Sequence, residues 1–398
     1  MRTNYWPDEY IEKRRTAEEA MQMIRSGQRV FFGSSCAEPQ HLANTLISMA
    51  DHFSDLEIVR LMSLTNSPIT KLSNENPYGN FNIRNIYHGS AAATHLAPSK
   101  PYITPINISA VPGLFLKHQL PLNAAFVQTS PPDDFGWMSL GISVAGCLAA
   151  IQSADLVIAQ GNPQMPRVLG QSFIHVNDVD VVVEKEEDLL TIDDLPEFET
   201  AHKIAKLVAN LVEDGATFQL GLGATPQAIL LALADKNDLG IHTQFIIDGI
   251  MNLVSVGVIN NKYKGIHNGK LVASNAVGTK NLYEFIHDNP SIEFYPSDYV
   301  NNPGVIAQHN KMTSVNMVME MDLTGQAAVD ALPHNYFAGV SSMIDFVRGS
   351  AQCPTGKSIL LIPSTSFDGD ESRIVSSVDS GAVVIPRSDV SYVVSEFG

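Results

Sequence analysis

The chain has 398 residues, 44% hydrophobic and 17% charged, enough for two domains with sizeable cores. Its net charge of −17 argues against a nucleic-acid partner, whose phosphates need lysine and arginine. No apolar run approaches the roughly 18 residues of a membrane span, and the opening MRTNYWPDEYIEKRR lacks the apolar core of a signal peptide. A cytoplasmic protein without membrane contact is expected.

Strand-like and helix-like segments alternate along the chain, the pattern of an α/β fold. Gly27-Gln-Arg-Val-Phe-Phe-Gly33 reads as a strand running into a turn, with Pro39 opening a helical pattern. Leu56-Glu-Ile-Val-Arg-Leu and Ala154-Asp-Leu-Val-Ile-Ala read as further strands. Residues 184–199 are acidic and contain a proline, and read as a connection between domains spanning 1–190 and 200–398. The second half opens like the first. Gly215-Ala-Thr-Phe-Gln-Leu-Gly221 precedes Pro226 and a helical pattern, and Gly240-Ile-His-Thr-Gln-Phe-Ile-Ile follows as a strand. Val390-Ser-Tyr-Val-Val-Ser echoes residues 154–159. The repeated order predicts a duplication, hence two similar open α/β domains.

Each glycine-rich turn falls between a strand and a helix, where exposed N–H groups bind anions. Gly221 and Gly223 are therefore candidates for an anion-binding turn, although such turns are also common architecture. Cys36, Cys147 and Cys353 are far apart and in no metal spacing, so buried thiols and no metal site are expected. Gly356-Lys357-Ser358 resembles the end of a P-loop. The required earlier glycine is Ala351, and a strand-like run follows where a helix should begin.

Longer stretches carry a family resemblance. Residues 130–140, SPPDDFGWMSL, and Asn162-Pro-Gln-Met-Pro-Arg167 with His175 resemble segments of the acetyl-CoA hydrolase/transferase family. So do Gly221-Leu-Gly-Ala-Thr-Pro226, Gly240-Ile-His-Thr-Gln-Phe-Ile-Ile-Asp-Gly249, Tyr299-Val-Asn-Asn-Pro303 and residues 315–326. Asp345-Phe-Val-Arg-Gly349, Ser372-Arg-Ile-Val375 and Val393–Gly398 complete the series, which covers nearly the whole chain in order. The 4-hydroxybutyrate and butyryl CoA-transferases are the most similar subgroup.

The resemblance implies two domains of the CoA-transferase type with the active site at their interface. It implies acyl-CoA and a small carboxylate as partners, with no tightly bound cofactor. A glutamate would attack the thioester and pass through an acyl-glutamyl anhydride to a glutamyl-CoA thioester, which an incoming carboxylate reverses. The resemblance places that glutamate at Gln244, and a neutral amide is feebly nucleophilic. It further implies that Gly339, Val340 and Ser341 line the thioester with backbone N–H groups as oxyanion donors. Asn301 would be a polar contact.

Three readings of Gln244 stay open: a residue exchanged to trap a complex, a naturally diverged member, or a different nucleophile, with Glu320 or Asp248 as candidates. Other departures favour divergence. Two family glycines are Ser341 and Ser342, which would narrow the acyl pocket, supply hydroxyl donors or serve as tolerated turn residues, and Ser255 replaces a glutamate. His242, two residues from Gln244, would face the same side in a strand. The family continues beyond the position of Gly398, so the second domain is expected to be truncated, as a fragment, a truncated protein or the front part of a longer polypeptide, with its exposed apolar surface covered by a partner or another domain. A homodimer, or a fused or associated domain, is expected. An acyl-CoA-binding pseudoenzyme or sensor is the alternative to a transferase or hydrolase.

Overall fold

The computed structural model describes residues 5–75, 79–88, 102–192, 198–332, 335–336, 338–379 and 382–398. The first half contributes β1 (Arg29–Phe32), β2 (Leu56–Ser63), β3 (Phe81–His88), β4 (Tyr102–Ile103), β5 (Ala124–Thr129), β6 (Leu156–Gly161) and β7 (Val181–Glu184). They form one sheet in the order β7-β6-β5-β1-β2-β3-β4, with every pairing parallel. Helices on the faces include α1 (Trp6–Lys13), α2 (Gln40–Ser48) and α3 (Cys147–Ser153). A parallel sheet covered on both faces needs apolar residues on both, and β5 is buried at all six positions. Successive side chains of β1 show the alternation. Phe31 meets Phe115 edge-on on one face, while Phe32 stacks on Phe126 at 4.8 Å in the cluster that holds Leu42 and Leu46 of α2.

The second half contributes α4 (Glu199–Leu211), β8 (Thr217–Leu220), α5 (Ala224–Ala232), β9 (Gly240–Ile241), α6 (Asp248–Ser255), α7 (Lys280–Ile286) and α8 (Ser297–Val300). These are followed by β10 (Thr313–Met317), α9 (Met343–Gln352), β11 (Lys357–Leu361) and β12 (Tyr392–Val394). Its main sheet runs β9-β8-β10-β11-β12, again all parallel. Read outward from β9, this is the order of β2-β1-β5-β6-β7 in the first half. The repeat thus extends over five strands, with β3 and β4 added to the first half alone. One expected correspondence is off by a strand. Residues 154–159 fall largely in β6, whose topological equivalent is β11, whereas residues 390–395 contain β12, the equivalent of β7. Both are short apolar strands, so local sequence does not separate them.

The halves are joined through backbone and core. Val144 N donates to Ser274 O and Ala276 N to Ile142 O, each at 2.9 Å, and Ser297 N donates to Ala145 O at 3.0 Å. The short strand Leu169–Gly170 of the first half pairs with Ile292–Phe294 of the second. One hydrophobic cluster contains Phe31, Ile142 and Val144 together with Phe218, Ile246 and Ala276. The motif residues of the 130–140 and 162–167 segments serve this junction. The Asp133 carboxylate accepts from Phe135 N and Trp137 N and pairs with Arg167, which also reaches Asp288. Within the acidic connection, Glu187 accepts from His41 N, and Ile192 N reaches Gly278 O in the second half.

The P-loop lookalike is the start of β11, with the Lys357 amine on Leu211 O and Glu213. All three cysteines are buried and free. Among the described residues no helix is long and apolar enough to cross a membrane, and no cluster of three or more ligating side chains could hold a metal ion.

A buried ion pair braces the carboxyl end of the first sheet. Arg60 on β2 is wholly buried and lies 3.6 Å from Glu38. Its Nε donates to Asn85 on β3, and Ser67 donates to Glu38 at 2.7 Å. Removing one partner leaves the other charge buried and unpaired. Arg60→Met should therefore cost about 3–5 kcal/mol in urea unfolding, and the double variant with Glu38→Gln should recover much of that loss.

Candidate active site

In parallel α/β sheets ligands bind beyond the carboxyl ends of the strands, and Gln244 stands there. After β9 the chain bends out of the strand and is pinned at each residue. Thr243 N donates to Val272 O, the Thr243 hydroxyl to Leu220 O at 3.3 Å, and Gln244 O accepts from Ser274 N and Asn275 N. The expected strand over residues 240–247 is thus two short pieces, Gly240–Ile241 and Phe245–Ile246, with the bend carrying Gln244.

The bend also separates His242 from Gln244, against the expectation that both face one side. The His242 ring packs on His309, 4.2 Å between centroids, and it does not line the cavity at Gln244. Burial drives its imidazole down to about 3, so it is neutral and its Nε2–H donates to Val300 O at 2.7 Å.

Gln244 is 5% exposed and lies against a cavity with walls from both halves. Ser34, Ser35, Met62, Tyr87, Ile108 and Ser143 come from the first half, and Phe245 and Asn275 from the second. Its free interior is about 10 Å³, space for a single water. Among the described residues no charged side chain lines it. Burial raises the Tyr87 phenol, which stays protonated. A carboxylate at residue 244 would thus lose water and gain no countercharge, the condition that makes such a group reactive.

Of the residues singled out in the sequence, Asn301 touches Gln244 directly. Its Nδ2 donates to Gln244 Oε1 at 3.4 Å, and Asn301 is wholly buried. It follows α8, which is held at both ends. The Ser297 hydroxyl donates to Ile108 O at 3.0 Å, and Val300 O is capped by His242.

The turn 339–342 packs against the same wall. A Cβ on Gly339 would sit 2.3 Å from Ile86 O, so glycine is needed there. Ser341 O accepts from Ile108 N. Gly339, Val340, Ser341 and Ser342 are not among the residues that line the small cavity at Gln244. Gly221 follows Leu220, whose carbonyl takes the Thr243 hydroxyl, and Gly223 caps α5 at φ +129. Among the described residues, neither glycine lines the cavity.

Neither alternative nucleophile lines the cavity at Gln244; the Asp248 carboxylate is taken up by hydrogen bonds, whereas Glu320 Oε2 is buried without a partner among the described residues. Asp248, at the start of α6, accepts from Thr279 N at 3.0 Å and from the Thr279 hydroxyl. Glu320 lies on the short strand Glu320–Asp322, paired to Ala327–Ala328, and its charged surroundings are Arg373, Asp379 and Glu371. Ser255 is exposed and bonds back to Met251 O.

Sequence reading missed the first-half wall. The signal was available at Ser34 and Ser35, directly after β1, and at Met62 and Tyr87, at the ends of β2 and β3, because strand carboxyl ends are where ligands gather.

Ser341 has φ +62, a left-handed conformation that favours glycine. Ser341→Gly should raise stability by roughly 0.5–1 kcal/mol in urea unfolding. Asp345, on α9 next to this turn, accepts from the Ser109 hydroxyl at 2.9 Å, and burial pushes its carboxyl up to about 6 against those bonds. Below its ordinary value of 3.8 it is protonated whether folded or not. Between there and about 6 only the unfolded chain ionises, so stability falls as pH rises through that window and levels off above it. Asp345→Asn should flatten that decline in unfolding curves taken across the same range.

The profile for the acetyl-CoA hydrolase/transferase N-terminal domain matches residues 1–193, and that for the C-terminal domain matches residues 278–398. The chain is 41% identical to 4-hydroxybutyrate coenzyme A transferase of Clostridium kluyveri, over 99% of this chain and 91% of that protein. It is 34% identical to succinyl-CoA:acetate/propanoyl-CoA:succinate CoA transferase of Fasciola hepatica, over 96% and 80%. The crystal structure of RipA from Yersinia pestis superposes with a TM-score of 0.90 at 31% identity, covering 99% of this chain and 91% of that one. The structure of 4-hydroxybutyrate CoA-transferase from Porphyromonas gingivalis gives 0.83 at 33%, with the same coverage.

Proposed function

The chain belongs to the acetyl-CoA hydrolase/transferase family, and from that premise we propose that it binds acyl-CoA and a small carboxylate between its two halves, with Gln244 in the nucleophile's position. The observation that carries this reading is the placement of Gln244 in a desolvated, uncharged cavity between the halves, with Asn301 against its side chain. In this reading the N–H groups of residues 339–341 face the thioester oxygen when the site is occupied. The turn at Gly221 and Gly223 holds an anionic part of CoA.

An amide in place of the carboxylate removes the covalent half-reactions. The loss of a covalent nucleophile commonly lowers turnover about 10⁴–10⁶-fold. An amide at residue 244 favours a protein that holds acyl-CoA over one that turns it over, either to sense it or to deliver it.

The test is exchange of labelled acetate into acetyl-CoA, with intact-mass detection of a protein-bound CoA adduct. The wild-type chain should bind acetyl-CoA, form no adduct and exchange at most slowly. Gln244→Glu should gain at least about 10³-fold in exchange and show the adduct. Rapid wild-type exchange through an adduct on another residue would reject the assignment of Gln244. No gain in Gln244→Glu would mean that the turn at Ser341 and Ser342 also disables the site.

A further inference from the structure

A carboxylate only accepts hydrogen bonds, whereas a primary amide has an accepting oxygen and an NH₂ with two donors. The surroundings of Gln244 use the first and leave the second. Oε1 accepts from Asn301 Nδ2 at 3.4 Å, no acceptor for Nε2 stands among the described hydrogen bonds, and Asn301 Oδ1 beside them is buried without a partner, so the pair is read with Asn301 donating and Gln244 Nε2 left for a ligand. Asn301 is wholly buried and follows α8, whose ends are fixed by Ser297 on Ile108 and by His242 on Val300 O. The cavity offers neutral polar groups, Ser34, Ser35, Ser143 and Asn275, and the Ser35 hydroxyl is buried without a partner.

We propose that Gln244 is a fixed hydrogen-bond donor to the carbonyl oxygen of a bound acyl thioester, with Asn301 as the positioning residue that turns the amide nitrogen toward the cavity. The proposal rests on the acyl-CoA reading above and deepens it. Where a carboxylate would attack the carbonyl carbon, the N–H engages the carbonyl oxygen instead. No bond is made or broken, and the thioester is held intact.

The experiment uses butyryl-CoA carrying ¹³C at the thioester carbonyl, followed by infrared difference spectroscopy and calorimetric titration. On binding the wild-type chain, the carbonyl band should move to lower wavenumber. Gln244→Met keeps the volume and removes the donor. It should return the band toward its free position and weaken binding roughly 3–10-fold, the worth of one hydrogen bond. Asn301→Ala should give an intermediate band, and the double variant should bind no worse than Gln244→Met alone. A misfolded variant would show no bound band at all, and Gln244→Leu then supplies the same test.

An unshifted band in the wild-type complex, or a full shift retained in Gln244→Met, overturns the donor role. Additive losses in the double variant overturn the positioning role of Asn301. If the wild-type chain fails to bind butyryl-CoA at all, the acyl-CoA reading falls and the proposal with it.

Discussion

The backbone splice between residues 142–145 and 273–276 is the constraint on which the site depends. It is made of inter-half hydrogen bonds between main-chain groups, so it fixes the two sheets to each other independently of side-chain choice. Ser143, Ala145 and Asn275 on the splice are also cavity residues, and the Ser143 hydroxyl donates to Asn275 across it. The bend at Gln244 hangs from the same segment, since Gln244 O accepts from Ser274 N and Asn275 N. A shift of one half against the other would therefore displace the first-half wall relative to residue 244.

The remainder of the site is arranged around what that splice leaves open. α8 spans it, with Ser297 on the first-half wall and Asn301 on Gln244. The turn at Gly339 and Ser341 closes against Ile86 and Ile108. Neutral polar groups are tolerable in such a place because leaving one unpaired costs far less than burying an unpaired charge. The paired charges Arg60 and Glu38 do not line the cavity.

Much of this was legible in the sequence, for reasons that differ by level. The α/β class and the doubling were readable because apolar strands and glycine-rich turns recur in the same order. The exact correspondence of strands was not, since Leu156–Gly161 and Tyr392–Val394 are both short apolar runs and only the pairing partners tell them apart. Gln244 and Asn301 were readable by motif resemblance, and their contact requires the fold. The pattern around residues 240–247 suggested one strand because alternation does not encode the tertiary hydrogen bonds that bend the chain at Thr243 and Gln244. Ser34, Met62 and Tyr87 stand at or just past strand ends, which the sequence marks without saying which ends meet. They are placed by strand ends that only the sheet order brings together.

A void with room for one water has a kinetic corollary. An acyl group seated as proposed is larger than that void, so Leu61, Met62 or Tyr87 would have to give way to admit it. Association governed in this way levels off at high ligand concentration, at the rate at which the wall gives way, and diffusion ceases to be the limit.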